Sequence, residues 1–436
     1  MKLKRIAISN CCRIKDIDIE VRDNLILIGP NGAGKTTVLL CLDMLLGMDE
    51  QRMRETVADS FIRDTARPLS VEGTFCNLTD EELATFPDEI DAKRGNDLRI
   101  RLDIRMNGEK LTIARFFPKT GTHKPPSQVQ SDAFGWTLLQ ARGFTYGVKQ
   151  GCKSIVDDVI SKIDHGANVL AIDEPEAHLH PSSQRSLAKL LQRGPSQMVL
   201  VTHSPTIAGS FEPDEIVVIR SDGSAAQPKK GFLSGEAGMA ARWWVGRQLE
   251  PLTAGTVVAV EGPSDRIIVN KVATALGFDL DRHDVVVVET EGCGNMKVVE
   301  SIFGRGGFNI PLFELVDEDN REDIAKRVGA DPDDLSDLAK HHVFVSTQDL
   351  EDEYVNAIGA AKLWAKIRSA GVISKHAMRH CAVGRDGSPS EKDLAQFIRE
   401  KTSRKIPSAL VAADLIDEST APKVESVAKL LEAASL

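Results

Sequence analysis

The stretch Gly29-Pro30-Asn31-Gly32-Ala33-Gly34-Lys35-Thr36 follows a short apolar strand, Asn24–Ile28, and runs into a helix-like segment, Thr36–Leu46. Its spacing is G-x-x-x-x-G-K-[ST], placed between strand and helix as a phosphate-cradling loop requires. Glycines let backbone N–H groups turn inward around phosphate oxygens, and the start of the helix adds partial positive charge. Lys35 is long enough to reach β- and γ-phosphates, and the Thr36 hydroxyl suits Mg²⁺. Gly29, Asn31, Gly32, Gly34, Lys35, Thr36 and Thr37 are therefore the expected ATP-binding set. With Gly at ~7% of residues, a chance match in a chain this long is on the order of a per cent.

Two later strand ends supply complementary chemistry. Val169–Ile172 is followed by Asp173-Glu174, where Asp173 suits Mg²⁺ and ATP binding and Glu174 suits polarising an attacking water. Met198–Thr202 ends at His203, placed to contact a γ-phosphate. Each alone is weak, because buried strands often end in Asp or His for capping. In this order, with short strand–helix units between them, they reinforce one another.

A second constellation lies downstream. Thr256–Val260 leads to Glu261-Gly262-Pro263-Ser264-Asp265, Leu312–Val316 ends at Asp317-Glu318-Asp319, and Val343–Thr347 precedes Gln348-Asp349-Leu350-Glu351. Hard carboxylate oxygens at successive strand ends suit Mg²⁺ or Mn²⁺ rather than zinc. In a parallel α/β sheet such ends share one crevice, and two ions there activate a water and stabilise a leaving oxygen. The plainer alternative, solvated or helix-capping acids, applies to Asp265 and more readily to Asp349, Asp352 and Glu353.

The chain has 436 residues, enough for two or three domains at ~100–200 residues each. Hydrophobic residues make up 42% and charged residues 27%, an ordinary globular balance. No apolar run approaches the ~18 residues of a membrane span, and the charged start leads into no signal-peptide core. The seven cysteines form no Cys-x-x-Cys pair. A cytoplasmic protein without membrane attachment is expected. The formal net charge is −10, so nucleic-acid binding would need a local basic groove or bound metal.

Strands are expected at Lys2–Ser9, Ile14–Val21 and Glu215–Arg220. Asn107-Gly108 marks a hairpin between Leu98–Met106 and Lys110–Phe116. Phe117–Gln130 reads as an exposed loop, and Lys153–Ile163, Ser182–Leu191 and Gly235–Leu252 as helices. From Gly255 a second strand–helix alternation begins, and the last ~55 residues look mostly helical.

GPNGAGKT at 29–36, LAIDEPEAHLHP at 170–181 and VTHSP at 201–205 resemble the ABC-type ATPases of the SMC and RecF kind. VVAVEGPSDR at 257–266 and FELVDED at 313–319, with TEGCGN at 290–295 between them, resemble a Toprim domain. The combination is similar to the overcoming-lysogenization-defect (OLD) family of nucleases. That resemblance implies an α/β chain. Its parts are an N-terminal ABC-type P-loop ATPase domain (1–235), a linker helix (236–254), and a Toprim domain with a Rossmann-like parallel sheet and a small helical C-terminal segment (255–436). It further implies Glu261, Asp265, Asp317, Asp319 and Glu351 as metal ligands or acid/base groups. Lys405, in Lys405-Ile406-Pro407-Ser408-Ala409, matches a lysine that stabilises negative charge in cleavage. The implied cofactors are ATP with Mg²⁺ at the first site and one or two Mg²⁺ or Mn²⁺ ions at the second.

The implied partners are DNA, a second copy of the chain, and a separate defence-system protein or RNA; the implied role is defence against phage. Three departures stand out. Tyr146, within Thr145–Gln150, occupies the place of the serine in the family's Ser-Gly signature. The glutamine-loop candidates Gln128 and Gln130 lie in the Pro-rich loop. The insert between Lys35 and Gly147 is too short for a coiled-coil arm.

Among Toprim chemistries, a topoisomerase needs a tyrosine nucleophile, and the only tyrosines are Tyr146 and Tyr354. No Cys/His pattern supports a primase zinc module. Water attacking a phosphodiester remains: an ATP-binding, metal-dependent DNA endonuclease. The alternative from another class is a nucleotide-gated sensor or scaffold with an inactive or partner-triggered Toprim domain. In a further variant ATP restrains cutting.

Overall fold

The computed structural model describes residues 1–57, 59–108, 110–120, 125–140, 167–177, 179–290, 292, 295–385 and 387–435. They form two compact units, Met1–Thr253 with Gly306–Phe308, and Ala254–Arg305 with Asn309–Leu436. Among the described residues no helix is long and apolar enough to cross a membrane.

The strands of the first unit are β1 (Lys2–Cys11), β2 (Ile14–Glu20), β3 (Leu25–Ile28), β4 (Leu69–Cys76), β5 (Ile90–Asp91), β6 (Asp97–Asn107), β7 (Lys110–Phe116), β8 (Trp136–Gln140), β9 (Val169–Asp173), β10 (Gln197–Val201), β11 (Ile216–Ile219) and β12 (Ala225–Ala226). An antiparallel sheet runs β2-β1-β4-β6-β5, with β7 paired to β6. Its register sets Ile6 opposite Ile19 and Ile8 opposite Ile17; these isoleucines are buried, so alternation places one face on the core. The hairpin between β6 and β7 turns through Gly108 at φ 64°. A second sheet runs β12-β11-β3-β10-β9-β8 and is parallel except at the β11/β12 edge. Every residue of β3, β9, β10 and β11 is buried, as parallel strands covered on both faces require. Helix Lys35–Leu46 contributes Val38, Leu42 and Leu45 to a core that also takes Ile6 and Val71 from one sheet and Leu25 and Val199 from the other.

Several sequence readings are corrected here. The exposed loop ends earlier than expected, since Gln128–Ala133 is helical. Ser127 caps it, with the Gln130 side chain returning to the Ser127 N–H, the reciprocal arrangement of a capping box. Gln128 and Gln130 are thus engaged within their own helix, Gln128 with Asp132 at 2.8 Å. The single helix expected over Gly235–Leu252 is two, Gly235–Val245 and Glu250–Thr253, with Gly246 ending the first. There Trp244 is buried, whereas Trp243 is exposed beneath the Arg247 guanidinium at 4.5 Å. The helix expected at Lys153–Ile163 and the segment around Tyr146 lie outside the described residues.

The second unit has a four-stranded, wholly parallel sheet, β13 (Thr256–Val260), β14 (Val285–Glu289), β15 (Leu312–Val316) and β16 (Val343–Val345), in the order β14-β13-β15-β16. Helix Pro263–Ala275 returns from β13, and Met296–Phe303 lies between β14 and β15 in the chain. β16 is shorter than expected because the chain leaves the ladder before Gln348, which takes φ 63°. After it come helices Leu350–Ile358, Ala360–Ala370, Glu391–Arg399, Thr402–Ala413 and Glu425–Ala434. They share a core with the sheet through Val258, Ile268, Tyr354, Leu363, Phe397, Ala409 and Leu430.

Candidate active sites: a phosphate cradle and a carboxylate cluster

In the first unit the strands β3, β10 and β9 are neighbours, so their C-terminal ends open side by side. The 29–36 loop leaves β3, His203 follows β10 and Asp173-Glu174 ends β9. Gly29 has φ 149°, and a Cβ there would stand 2.1 Å from the Ile219 carbonyl oxygen; only glycine fits between the loop and β11. Gly32 and Gly34 also have positive φ, 75° and 119°. The Lys35 ammonium donates to the Gly29 and Pro30 carbonyls at 2.9 and 2.8 Å, so the lysine is folded back across the loop. Thr36 opens the helix with its hydroxyl 3.3 and 3.5 Å from the Asp173 carboxylate oxygens. A hydroxyl and a carboxylate, both oxygen donors, are thereby brought face to face. Asn31 and Gly32 are exposed at the loop tip and Thr37 is half-buried. Glu174 sits at φ 50°, a conformation uncommon outside glycine and asparagine.

Glu176 has a place that sequence reasoning missed. Its carboxylate accepts the His203 backbone N–H at 2.5 Å and the Thr202 hydroxyl at 2.9 Å. Burial pushes this carboxyl up, opposed by those hydrogen bonds. It joins the loop after β9 to the loop after β10. His203 itself is exposed. The Glu-Pro-Glu spacing was visible, but only the adjacency of the two loops assigns the second glutamate.

In the second unit Glu261 follows β13, Asp317 follows β15, and Asp319 lies in the short turn Glu318–Asn320. The β15 and β16 exits are joined by Glu318 N–H to the Gln348 carbonyl and Gln348 N–H to the Glu318 carboxylate, both 3.0 Å. Asp265 stands in the first turn of helix Pro263–Ala275, accepting from Gly262 N–H at 2.9 Å and the Ser264 hydroxyl at 3.1 Å. Glu351 begins helix Leu350–Ile358, and Lys405 projects from helix Thr402–Ala413 to 3.2 Å from its Oε1.

Electrostatics group these side chains. Burial, then the charges of Glu261, Asp265, Asp349 and Glu351, push the Asp317 carboxyl up to about 8. Burial, then Glu351, raises Asp265 to about 6. Glu261 is also raised, mainly by burial and with Asp319 adding to it, although hydrogen bonds from the Asp317 backbone and the Asn320 side chain oppose the rise. The Asn320 contact is 2.7 Å, a second partner that sequence reasoning missed. Burial lowers the Lys405 ammonium, but Glu351, Asp317 and Asp265 outweigh it and hold it above its ordinary value. Glu351 is 1% exposed, and neither of its oxygens accepts a well-formed hydrogen bond.

Not every acid belongs to this group. Asp349 and Asp352 are bound to Arg399 at 2.8 and 2.6 Å, and Glu353 accepts from Thr347 N–H and Ser426. These acids are thus held by partners outside the cluster, although the charge of Asp349 still reaches Asp317. Tyr354 is buried, 1% exposed, and cannot be offered to a substrate as a nucleophile. Glu291, Cys293 and Gly294 of the second strand end lie outside the described residues.

The donor chemistry fits a hard divalent cation: crowded carboxyls whose charged forms burial and mutual repulsion disfavour, and a buried carboxylate short of hydrogen bonds. Among the described residues no three His, Cys, Asp or Glu side chains already enclose an ion. The carboxylates are gathered but not closed into a cage.

A family model described as an AAA ATPase domain matches residues 1–126, and one described as an AAA domain (putative AbiEii toxin, Type IV TA system) matches 159–209. One described as an overcoming lysogenization defect protein-like TOPRIM domain matches 252–319. An OLD nuclease of Thermus scotoductus is 23% identical, over 73% of this chain and 82% of that one. A putative ABC transporter ATP-binding protein of Gloeobacter violaceus is 24% identical, over 49% and 80%. Similar solved structures include the C-terminal region of the Burkholderia pseudomallei OLD protein, at 21% identity over 42% of this chain and 96% of that one, with TM-score 0.32. Another is the SMC head domain from Thermotoga maritima, at 12% identity over 52% and 97%, with TM-score 0.34. The chain thus carries an ATPase domain at its start and an OLD-like Toprim domain after it, and it is similar to an OLD nuclease over most of both chains.

Proposed function

We propose that the protein is an ATP-binding, divalent-metal-dependent DNA endonuclease serving anti-phage defence, with Glu261, Asp265, Asp317, Asp319 and Glu351 holding one or two Mg²⁺ or Mn²⁺ ions. The observation that carries this reading is the gathering of Asp317, Asp265, Glu261 and Glu351 around Lys405 at the ends of a parallel sheet. Such ions, when bound, supply an activated water and neutralise charge on the scissile phosphate. The chain's own groups do the rest. Asn320 orients Glu261, a carboxylate placed to hold an ion or to take a proton from the water. Asp265 is held by two donors, and Lys405 brings a positive charge beside Glu351 to meet the negative charge that grows on the phosphate in the transition state.

At the nucleotide site Lys35 and the loop amides would hold the phosphates, and Thr36 with Asp173 would hold Mg²⁺. Glu174 would orient the attacking water and His203 would contact the γ-phosphate. A composite site of the ABC kind requires a second copy of the chain, so self-association is part of the proposal.

Manganese binding tests it independently of turnover. Electron paramagnetic resonance titration of the full chain without nucleotide should show tight Mn²⁺ that weakens at least tenfold in Asp317→Asn. Equal binding by both proteins would refute the carboxylate site.

A further inference from the structure

Between Glu353 and Asp386 the chain carries no acidic residue at all. In that interval stand Lys362, Lys366, Arg368, Lys375, Arg379 and Arg385, with His376 and His380. A chain of net charge −10 has concentrated cations in one place. All but Lys366 are exposed. In the first unit several comparable cations are neutralised: Lys2 pairs with Asp23, Lys4 with Asp97 and Arg5 with Asp18. Here Lys366 lies 3.8 Å from Asp414, whereas among the described residues Lys362, Arg368, Lys375 and Arg379 have no carboxylate within ion-pair distance.

The placement is as telling as the charge. Helix Ala360–Ala370 buries Leu363, Trp364 and Ile367 and turns Lys362 outward on the opposite face. It packs on helix Leu350–Ile358, which carries Glu351, and on helix Thr402–Ala413, which carries Lys405. The run then continues through the short helix Lys375–Met378. At 1.5 Å per helical residue the first helix alone extends ~16 Å, several phosphates of duplex length at ~3.4 Å per strand.

We infer that the exposed cations of 362–385 form a docking face for the phosphate backbone of the DNA cut at the neighbouring carboxylate cluster. This rests on the nuclease reading and adds where the substrate lies. Backbone contacts of this kind position a duplex without reading its sequence, and they offset the repulsion of an acidic protein. A polyanion is favoured over an acidic protein face because, among the described residues of 362–385, the only large apolar side chains left exposed are Val372 and Val383.

The test is fluorescence anisotropy of a labelled DNA duplex, with Ca²⁺ in place of the catalytic ion, across a salt series. The quadruple variant Lys362→Gln, Arg368→Gln, Lys375→Gln, Arg379→Gln is compared with wild type. A control removes four exposed lysines elsewhere, Lys15, Lys93, Lys110 and Lys297, each to Gln. Each lost phosphate contact should reduce the slope of log K against log salt by ~0.9. The quadruple variant should therefore bind at least tenfold more weakly, with a shallower slope and unchanged ATP turnover. The control should bind like wild type, and the four-residue Lys/Arg interchange (K362R, R368K, K375R, R379K) should restore affinity. Equal affinity and slope in the quadruple variant, while wild type still cuts DNA, would overturn the docking face and leave the nuclease reading standing. A change in oligomeric state with DNA affinity intact would also overturn it, marking the face as a contact between copies. Failure of wild type both to bind and to cut would overturn the nuclease reading as well.

Discussion

Glu314 lies in β15, three residues before Asp317, and is 5% exposed. Burial and the neighbouring Glu300 charge push its carboxyl up to about 8, against the pull of Arg327. Arg327 itself is 2.9 Å from Glu300. A carboxyl whose proton affinity is raised by folding stabilises the fold fully below its unfolded pKa of ~4.3 and loses that contribution as pH climbs through the folded value. A rise of ~3.5 units at ~1.36 kcal/mol each gives a ceiling of ~5 kcal/mol. Arg327 and Glu300 keep 23% and 26% of their side-chain surface in water, and solvent screening there brings the expected effect to ~2–3 kcal/mol. The perturbation is Glu314→Gln, which keeps the shape and removes the titration. Hydrogen exchange of the Leu312–Val316 amides, compared between wild type and variant from pH 5 to pH 9, cancels the intrinsic exchange rates. The variant should gain ~2–3 kcal/mol of protection relative to wild type across that range. Parallel pH dependence in the two proteins would show that Glu314 does not ionise within the folded strand, and would refute the reasoning.

Removing Lys405 leaves the Glu351 carboxylate buried without its cation, so Lys405→Ala should destabilise the second unit by ~3 kcal/mol. Adding Glu351→Gln should recover much of that loss in a double-mutant cycle read by urea unfolding; additivity would break the pair. Gly29→Ala drives a methyl into the Ile219 carbonyl and should abolish ATP binding in a fluorescent-nucleotide titration, with unchanged affinity counting against the close approach. Glu176→Gln weakens the joint to His203 and should lower ATP turnover several-fold while nucleotide affinity stays within about twofold. An unaltered rate would make that joint dispensable.

Which parts were legible follows from the range of the interactions. The 29–36 loop depends on spacing within eight residues and on flanking strand and helix, so it was readable at once. The carboxylates were readable as strand ends because a parallel sheet collects such ends in one crevice. β4 was not: Gly73 interrupts it, and a glycine inside a strand weakens the signal. The fold explains the residue, since a Cβ there would meet Leu45 of the phosphate-loop helix at 3.1 Å. β8 is five residues long and gains its place by pairing with β9. Partners distant in the chain left no local trace. Arg399 holds acids 47 and 50 residues away, and Asn320 reaches Glu261 across 59 residues. Glu353 was an ordinary acid in the sequence and became a cap for Thr347 and Ser426 only in the folded chain.

The most direct measurement is conversion of supercoiled plasmid by the full chain with Mg²⁺ or Mn²⁺, with and without ATP, for wild type, Glu261→Ala and Lys35→Ala. The expected result is metal-dependent nicked or linear product that disappears in Glu261→Ala, with the Lys35→Ala lane displaced from wild type in whichever direction nucleotide control acts. Undiminished product from Glu261→Ala, or product that persists in chelator, would contradict the carboxylate cluster as the site of cleavage.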